Sequence, residues 1–314
     1  MLAFALRRLA QAVPLLLLVS VLVFALIHAA PGGPLSMYLS NPNVRPEDIE
    51  RLRRSLGLDR PLPEQYLAWL AGFATGDWGY SYADGRPVLE RIAERAPATL
   101  ELIGGSLAIA LLAALPAGAL GAVRRGAGDR AVTALSLAGI SLPVFWFGLL
   151  LQLVFSVSLG WLPSAGRSSI GDGGAADRLA HLVLPAIVLA AVHAAAWSRY
   201  LRASMLRALG ERFVTAVRAR GVPGRLIVWR HALRNALLPF VTVVLLDIGI
   251  MVSGAVVTES VFAWPGVGSL FTEAIARRDY TVLMAFLMLS AAAIVLLNFL
   301  ADVLYRALDP RVAG

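Results

Sequence analysis

Cysteine and lysine are both missing from this chain of 314 residues. Without cysteine there is no disulfide, no thiolate metal site, no cysteine nucleophile and no cysteine-linked lipid anchor, whichever compartment a loop faces. Without lysine the basic side chains are arginines, and the phosphate-binding loop that ends in Gly-Lys-Ser/Thr cannot be built. The chain does not bind ATP by that route. Charge is scarce as well: 15% of residues are charged against 58% hydrophobic, and the mean hydropathy is +0.73, well above ordinary globular usage. One soluble core cannot hide that much apolar surface. The net charge of +8 does not indicate nucleic acid, because the arginines stand between long apolar runs rather than in an aromatic-rich basic domain.

A bilayer crossing needs roughly 20 apolar residues at a rise of 1.5 Å each. Six stretches meet that length, at about 9–30, 100–123, 134–159, 179–196, 237–257 and 281–304, and they predict an all-α, polytopic membrane protein. Pro14, Pro116, Pro143 and Pro185 fall inside these spans, which membrane helices tolerate where neighbours re-satisfy the freed carbonyls. Arg7 and Arg8 before an apolar run that ends at Ala29 and Ala30 resemble a signal peptide, but the run is too long for a cleaved core and is read as a retained first helix. Arg7, Arg8, Arg124, Arg125, Arg130, the nine arginines from Arg199 to Arg234, Arg306 and Arg311 fall on one side of the membrane. The opposite loops carry at least as many acids as arginines. The positive-inside rule therefore predicts both termini in the cytoplasm and residues 31–97 outside. The expected organisation is a cytoplasmic end with the first span (1–30), an extracytoplasmic helical segment (31–97), a core of five spans (98–305) that includes a cytoplasmic loop (199–234), and a cytoplasmic tail (306–314).

The outer segment has helical pattern of its own. Over 46–56, Pro46 suits the first helical position, Glu47, Asp48 and Glu50 favour the N-terminal end, Arg53 and Arg54 the C-terminal end, and Gly57 stops the helix. A second piece, 63–73, carries Tyr66, Trp69, Leu70 and Phe73, a mix suited to the membrane interface. Pro87 opens a third, with Val88, Leu89 and Ile92 apolar. Such faces suit either an external cap packed on the spans or a surface where a solute-delivering partner docks.

The cytoplasmic loop is too long for a turn and too regular for a tail. Phe213, Val214, Ala216 and Val217 with Arg218, Ala219 and Arg220 read as one short helix, Gly221-Val222-Pro223-Gly224 breaks it, and Leu226, Ile227 and Trp229 resume an amphipathic pattern leading to Pro239. Topology accounts for the arginines taken singly. It does not account for the ordered helix, turn, helix pattern.

At these residues the chain resembles the permease subunits of bacterial ABC importers, in the dipeptide, oligopeptide and nickel branch. The resemblance rests on Phe213-Val214-Thr215-Ala216-Val217-Arg218-Ala219-Arg220-Gly221 followed by Arg230-His231-Ala232-Leu233-Arg234-Asn235-Ala236-Leu237-Leu238-Pro239. The broader signature is Glu-Ala-Ala, three residues, Gly, nine residues, Ile, one residue, Leu-Pro. Counted from Gly221, Thr215-Ala216-Val217 stands at Glu-Ala-Ala, His231 at the Ile and Leu233-Arg234 at the Leu-Pro; the peptide branch departs from the broad pattern there too. Ile140 to Gly148, Leu159 to Gly166, Glu259 to Gly268 and Leu308-Asp309-Pro310-Arg311 resemble the same branch, so the likeness covers nearly the whole chain. The long outer segment is similar to that of the first-named permease of the pair.

The resemblance implies a type I ABC importer permease fold and a role as half of a translocation pathway for di- or oligopeptides, with glutathione or a nickel chelate as alternative cargo. It implies a second homologous permease, two ATPase subunits and an extracytoplasmic solute-binding protein as partners, in the bacterial inner membrane. No cofactor is expected on this chain, and ATP and Mg are expected in the ATPase subunits. Thr215, Ala216, Val217, Arg218, Arg220 and Gly221 would form the coupling helix seated in an ATPase groove.

Ionisable residues within a bilayer usually face a pathway or a partner. Asp247 lies mid-span with Met251, Gly254 and Thr258 on its face at helical spacing, and these are the candidates for lining a pathway; a hydrogen bond to a neighbouring helix is the equal alternative for Asp247. Glu101, Gln152, His193 and Asn298 read as residues that join helices. An intramembrane protease is unsupported, since Asp247 has no intramembrane aspartate partner and His28, His181, His193 and His231 lack metal-ligand spacing. An ion-coupled secondary transporter is the different-class alternative, but it has no need of the loop around Gly221.

Overall fold

A computed structural model describes residues 2–29, 35, 45–55, 57–123, 142–171 and 173–308. In chain order it contains α1 (Leu2–Ala29), α2 (Pro46–Ser55), α3 (Leu62–Thr75), α4 (Val88–Val123) and α5 (Val144–Leu151), the last continued by a π-helical stretch, Gln152–Ser158. Then follow α6 (Ala175–Gly210) and α7 (Arg212–Ala219). A turn of helix, Gly224–Leu226, and a second π-helical stretch, Ile227–Ala232, lead into α8 (Leu233–Val261), and α9 (Val267–Arg277) and α10 (Tyr280–Leu308) complete the order. Among the described residues no strand forms, and an isolated bridge joins Tyr80 and Pro87.

Five helical stretches are long and apolar enough to cross a membrane: Leu6–Ala29, Val88–Val123, Ala175–Gly210, Gly224–Val261 and Tyr280–Leu304. The third predicted span is represented by a shorter apolar helix, Val144–Ser158; the part of that span before residue 142 lies outside the described residues. Pro143 is not inside a helix as expected but caps α5, with φ −59° and ψ 132°. An extended proline there supplies no N–H that the first turn would need, so it starts the helix cleanly.

Three further boundaries differ from the sequence reading. The third outer helix and the second span are one helix, α4, running through Pro97. Its buried positions Val88, Ile92, Thr99, Leu102, Ser106, Ala110 and Ala114 keep helical spacing across the proline, so packing of one face outweighs the lost hydrogen bond. The helix of the fourth predicted span does not end near residue 196 but continues to Gly210, with Trp197, Leu201, Ser204, Met205 and Ala208 buried along it, so the first part of the predicted 199–234 loop is helical. Finally, α9 was not foreseen. Pro265-Gly266 interrupts the chain before it, and Val267, Leu270 and Ala274 are its buried face.

The chain divides into two compact units, Thr99–Trp264 with Leu296–Gly314, and Leu2–Ala98 with Pro265–Val295. In the first, α6 and α8 form the most extensive helix pairing. Small residues permit close approach, as is usual between membrane helices: a Cβ on Gly118 of α4 would stand 2.8 Å from the Ser198 carbonyl oxygen and 2.9 Å from Leu201 Cβ of α6. Leu184, Val188 and Phe262 form a core against which Val144, Phe147, Leu151 and Phe155 pack. The 159–173 connection is tied down by polar bonds. Gln152 Nε2 donates to the Ser164 and Val261 carbonyls at 2.8 and 3.1 Å, Gly166 N donates to the Phe262 carbonyl at 2.9 Å, and Arg167 Nη2 lies 2.6 Å from Glu101 Oε2. Gln152 and Glu101 thus join elements, as the sequence reading favoured.

In the second unit Val23, Phe24 and Ile27 of α1 form a core with Tyr280 and Met284 of α10, with Tyr66 and Trp69 of α3 packed against it. Ser20 Oγ and Tyr66 Oη share a hydrogen bond of 2.8 Å. Helix α2 follows its predicted polarity, with Glu47 and Asp48 in its first turn and Arg53 and Arg54 in its last. Gly57, at φ +66°, stands just past its end.

Candidate functional site

The segment around Gly221 is an exposed corner with a buried anchor. Glu211 is extended, at φ −70° and ψ 148°, and breaks α6 from α7. Within α7, Val214 is buried at 1% exposure, Phe213 and Val217 are half-buried, and Thr215, Ala216, Arg218 and Ala219 are exposed. One side of α7 therefore grips the π-helical stretch and α6, which it contacts, while the other side is open. Arg220 ends the helix and Gly221 turns the chain at φ +77°, a conformation that costs an L side chain roughly 1–2 kcal/mol. Gly221 N donates to the Arg218 carbonyl at 3.0 Å. Nothing lies within 4 Å of a Cβ built on Gly221, so the glycine is required by backbone geometry and leaves clear space around it. The structure brings all six predicted coupling residues, Thr215, Ala216, Val217, Arg218, Arg220 and Gly221, to this one corner.

The intramembrane candidates separate. Asp247 is half-buried and accepts a hydrogen bond of 2.6 Å from Trp197 Nε1 across the α6–α8 pair. Trp197 is fully buried, His193 packs on its ring at 5.6 Å between centroids and Phe240 meets it edge-on at 6.4 Å. Met251 and Thr258 have no accessible surface, Thr258 Oγ1 bonds back to the Gly254 carbonyl at 3.4 Å, and a Cβ on Gly254 would meet Leu189 at 3.2 Å. These three face the chain's own helices, leaving Asp247 as the residue of the four that combines charge with partial exposure. Asn298 stands exposed on α10.

The Trp197–Asp247 bond has a measurable consequence. Asp247→Leu leaves the buried indole N–H without an acceptor and is expected to cost about 1–3 kcal/mol, whereas Asp247→Asn keeps a carbonyl acceptor and loses much less. Thermal unfolding of the two variants in detergent checks this order.

Sequence reasoning missed two buried carboxylates. Glu259 has no exposed surface and accepts from Thr99 Oγ1 at 2.7 Å. Asp279, 1% exposed, accepts from Ser81 Oγ at 2.5 Å and Tyr82 N at 3.1 Å and lies 3.6 Å from Arg91 Nη1. Arg91 also reaches Asp84 at 3.3 Å. This network pins the 79–87 turn to the start of α10. Desolvation, reinforced by the Asp279 charge, holds the Tyr82 hydroxyl pKa above its ordinary value, so Tyr82 stays a neutral phenol. Asp84 lies below the usual carboxylate range: desolvation, the largest single cause, would raise it, but hydrogen bonds from Arg86 N and Ser81 and the Arg91 and Arg86 charges together outweigh it. The available signal was the pairing of acids with arginines at both ends of a Gly-containing turn, but partners almost 200 positions apart have no local signature. Among the described residues no group of three His, Asp or Glu side chains could hold a metal ion.

Comparison with known proteins gives concordant matches. The family described as binding-protein-dependent transport system inner membrane component matches residues 107–314, and its N-terminal companion matches residues 1–103. The oligopeptide transport system permease protein AppB of Bacillus subtilis is 40% identical over 99% of both chains. The di/tripeptide transport system permease protein DppB of Pseudomonas aeruginosa is 39% identical, and the glutathione transport system permease protein GsiC of Escherichia coli is also 39% identical, each over 99% of both chains. A chain of the MetNI methionine ABC transporter, solved in inward-facing conformations, superposes with a TM-score of 0.57 at 22% identity, covering 69% of this chain and 96% of that one. That likeness is one of fold.

Proposed function

Because this chain belongs to the family of inner membrane components of binding-protein-dependent transport systems, we propose that it forms half of a peptide-import pathway and is driven through the corner at Gly221. It is a multi-pass permease subunit of an ABC importer and not itself an enzyme. It works with an ATPase and a solute-binding protein. The finer assembly is a second homologous permease and two ATPase subunits that hold the ATP and Mg, with both termini of this chain in the cytoplasm as the arginine distribution favours.

The observation that carries the reading is α7. A short helix anchored by Val214, open on its other side, and ended by a positive-φ glycine in clear space has the form of a rigid knob for a groove. Arg218 and Arg220, both exposed, would pair with acidic groups on the ATPase, where desolvation strengthens the pairing. Movement of the knob would pass through the α6–α8 pair as a rigid-body shift. Asn298, a polar side chain exposed on an apolar helix, supports a protein partner on that face.

Peptides are supported as cargo by the oligopeptide and di/tripeptide relatives, and glutathione, from the third relative, is the second reading. Asp247 is the proposed pathway contact, able to meet a cargo amine. Uptake of cationic and neutral cargo by Asp247→Asn tests this, and unchanged rates and selectivity would assign Asp247 wholly to the Trp197 bond.

The whole reading is tested by co-expression with the neighbouring transport genes. Co-purification of ATPase subunits in detergent and uptake into proteoliposomes that needs both ATP and a binding protein are expected. Uptake driven by a proton or sodium gradient through this chain alone would overturn it.

A further inference from the structure

A cavity of about 340 Å³ opens within the unit Leu2–Ala98 with Pro265–Val295. Its floor is apolar: Phe24 and Met284 are buried there, with Trp69 packed against them. Arg54 and Arg60 also line it, and among the described residues no carboxylate does. Arg54 pairs only loosely with Glu50, at 3.6 Å between largely exposed groups, and Arg60 has no ion pair among the described residues.

The position of the cavity narrows what it can hold. Phe24 and His28 belong to the last turns of the apolar stretch Leu6–Ala29, and Thr281 and Met284 to the first turns of Tyr280–Leu304. The cavity therefore sits where two membrane-crossing helices leave the hydrocarbon. One wall comes from the end of α2, whose Glu47, Asp48, Arg51 and Arg54 are exposed as on a water-facing helix. Another comes from Gln65, Ala68 and Trp69 of α3; outside the cavity lining the same helix exposes Leu62 at 55% and Leu67 at 62%, surface suited to acyl chains rather than to water. Tyr66 and Trp69 on the same helix are the aromatic types that settle at headgroup level. Two arginines, the apolar part of the lining and a helix that shows leucine just outside it match a ligand that is anionic at one end and hydrocarbon at the other.

We propose that this cavity is a binding site for an anionic phospholipid, its phosphate held by Arg54 and Arg60 and its chains lying against α3 and the end of α1. A soluble peptide would satisfy the arginines but would leave the exposed leucines of α3 unexplained.

The test is native mass spectrometry of the full permease–ATPase complex, extracted in detergent and titrated with phosphatidylglycerol or phosphatidylcholine. Wild type is expected to retain phosphatidylglycerol in preference to phosphatidylcholine. The double variant Arg54→Gln/Arg60→Gln is expected to retain it about thirtyfold less, the effect of two arginines at about 1 kcal/mol each beside an anionic lipid. Arg51→Gln/Arg53→Gln removes the same charge from α2 outside the cavity lining and is expected to behave as wild type, with equal thermal stability of all three complexes showing that each is folded. Equal loss in both double variants, or no preference between the two lipids, would overturn the proposal. Displacement of bound phosphatidylglycerol by inorganic phosphate at millimolar concentration would reassign the site to a free anion, and displacement by a dipeptide would reassign it to cargo; either result overturns the lipid assignment.

Discussion

Uptake is expected to fall to background in Gly221→Trp and Gly221→Asp while the protein stays in the membrane at wild-type level. The geometry separates two causes of such a loss. At φ +77° a non-glycine residue bears about 1–2 kcal/mol of backbone strain, which a folded membrane protein can absorb. Apart from its two chain neighbours, no described atom lies within 4 Å of the new Cβ, so the side chain leaves the backbone into open space. Gly221→Ala carries the strain without the bulk and should keep partial uptake, and Gly221→Asn, which tolerates the left-handed region better than most residues, should keep at least as much. Complete loss with Trp and Asp beside partial uptake with Ala and Asn means that another subunit occupies the clear space and rejects bulk and negative charge. Equal loss in all four variants would locate the defect in the turn, and wild-type uptake by Gly221→Trp would sink the coupling assignment. Transport assays beside ATPase co-purification read both quantities.

The second large effect is expected at Gly118. A Cβ there would sit 2.8 Å from a backbone oxygen of α6 and 2.9 Å from Leu201 Cβ, and neither obstacle can rotate away as the tip of a flexible side chain could. Gly118→Leu must force α4 and α6 apart, so its cost lies at or above the upper end of the roughly 1–3 kcal/mol usual for overpacking. Loss of membrane-inserted protein, or a lowered unfolding temperature of whatever assembles, is the expected result. Gly104 on the same helix is the internal control: nothing lies within 4 Å of its Cβ position, and Gly104→Ala should be neutral or gain up to about 1 kcal/mol from helix propensity. Equal stability of Gly118→Leu and Gly104→Ala would mean that the close approach of α4 and α6 is wrong.

What could be read in the sequence was what local chemistry decides. The polarity of α2, the start of α7 and the break at Gly221 each depend on residues within a few positions of one another, and the apolar runs announce the spans by length alone. Boundaries set by tertiary contact were hidden. The passage of α4 through Pro97 depends on a face buried against other helices, and the extension of α6 to Gly210 depends on burial of Leu201 and Met205. Met251, Gly254 and Thr258 share a face by spacing, but which neighbour covers a helical face is not encoded in spacing, as the approach of Gly254 to Leu189 of α6 illustrates. Asp279 and Arg91 illustrate the same limit for charge, since each looks like an ordinary surface ion until the long-range partner is known.

The continuity of α6 also has a mechanical meaning. At 1.5 Å per residue its 36 residues make a rod of about 54 Å, fastened part-way along by the Trp197–Asp247 bond. A pivot at that bond would have unequal arms, about 33 Å towards Ala175 and about 20 Å towards Gly210. A push of about 3 Å delivered by α7 at the short arm would swing the far end by about 5 Å in the opposite direction, close to one helical turn of about 5.4 Å. The permease would then amplify the stroke it receives, and the amplification would be set by where along the rod a single tryptophan is placed.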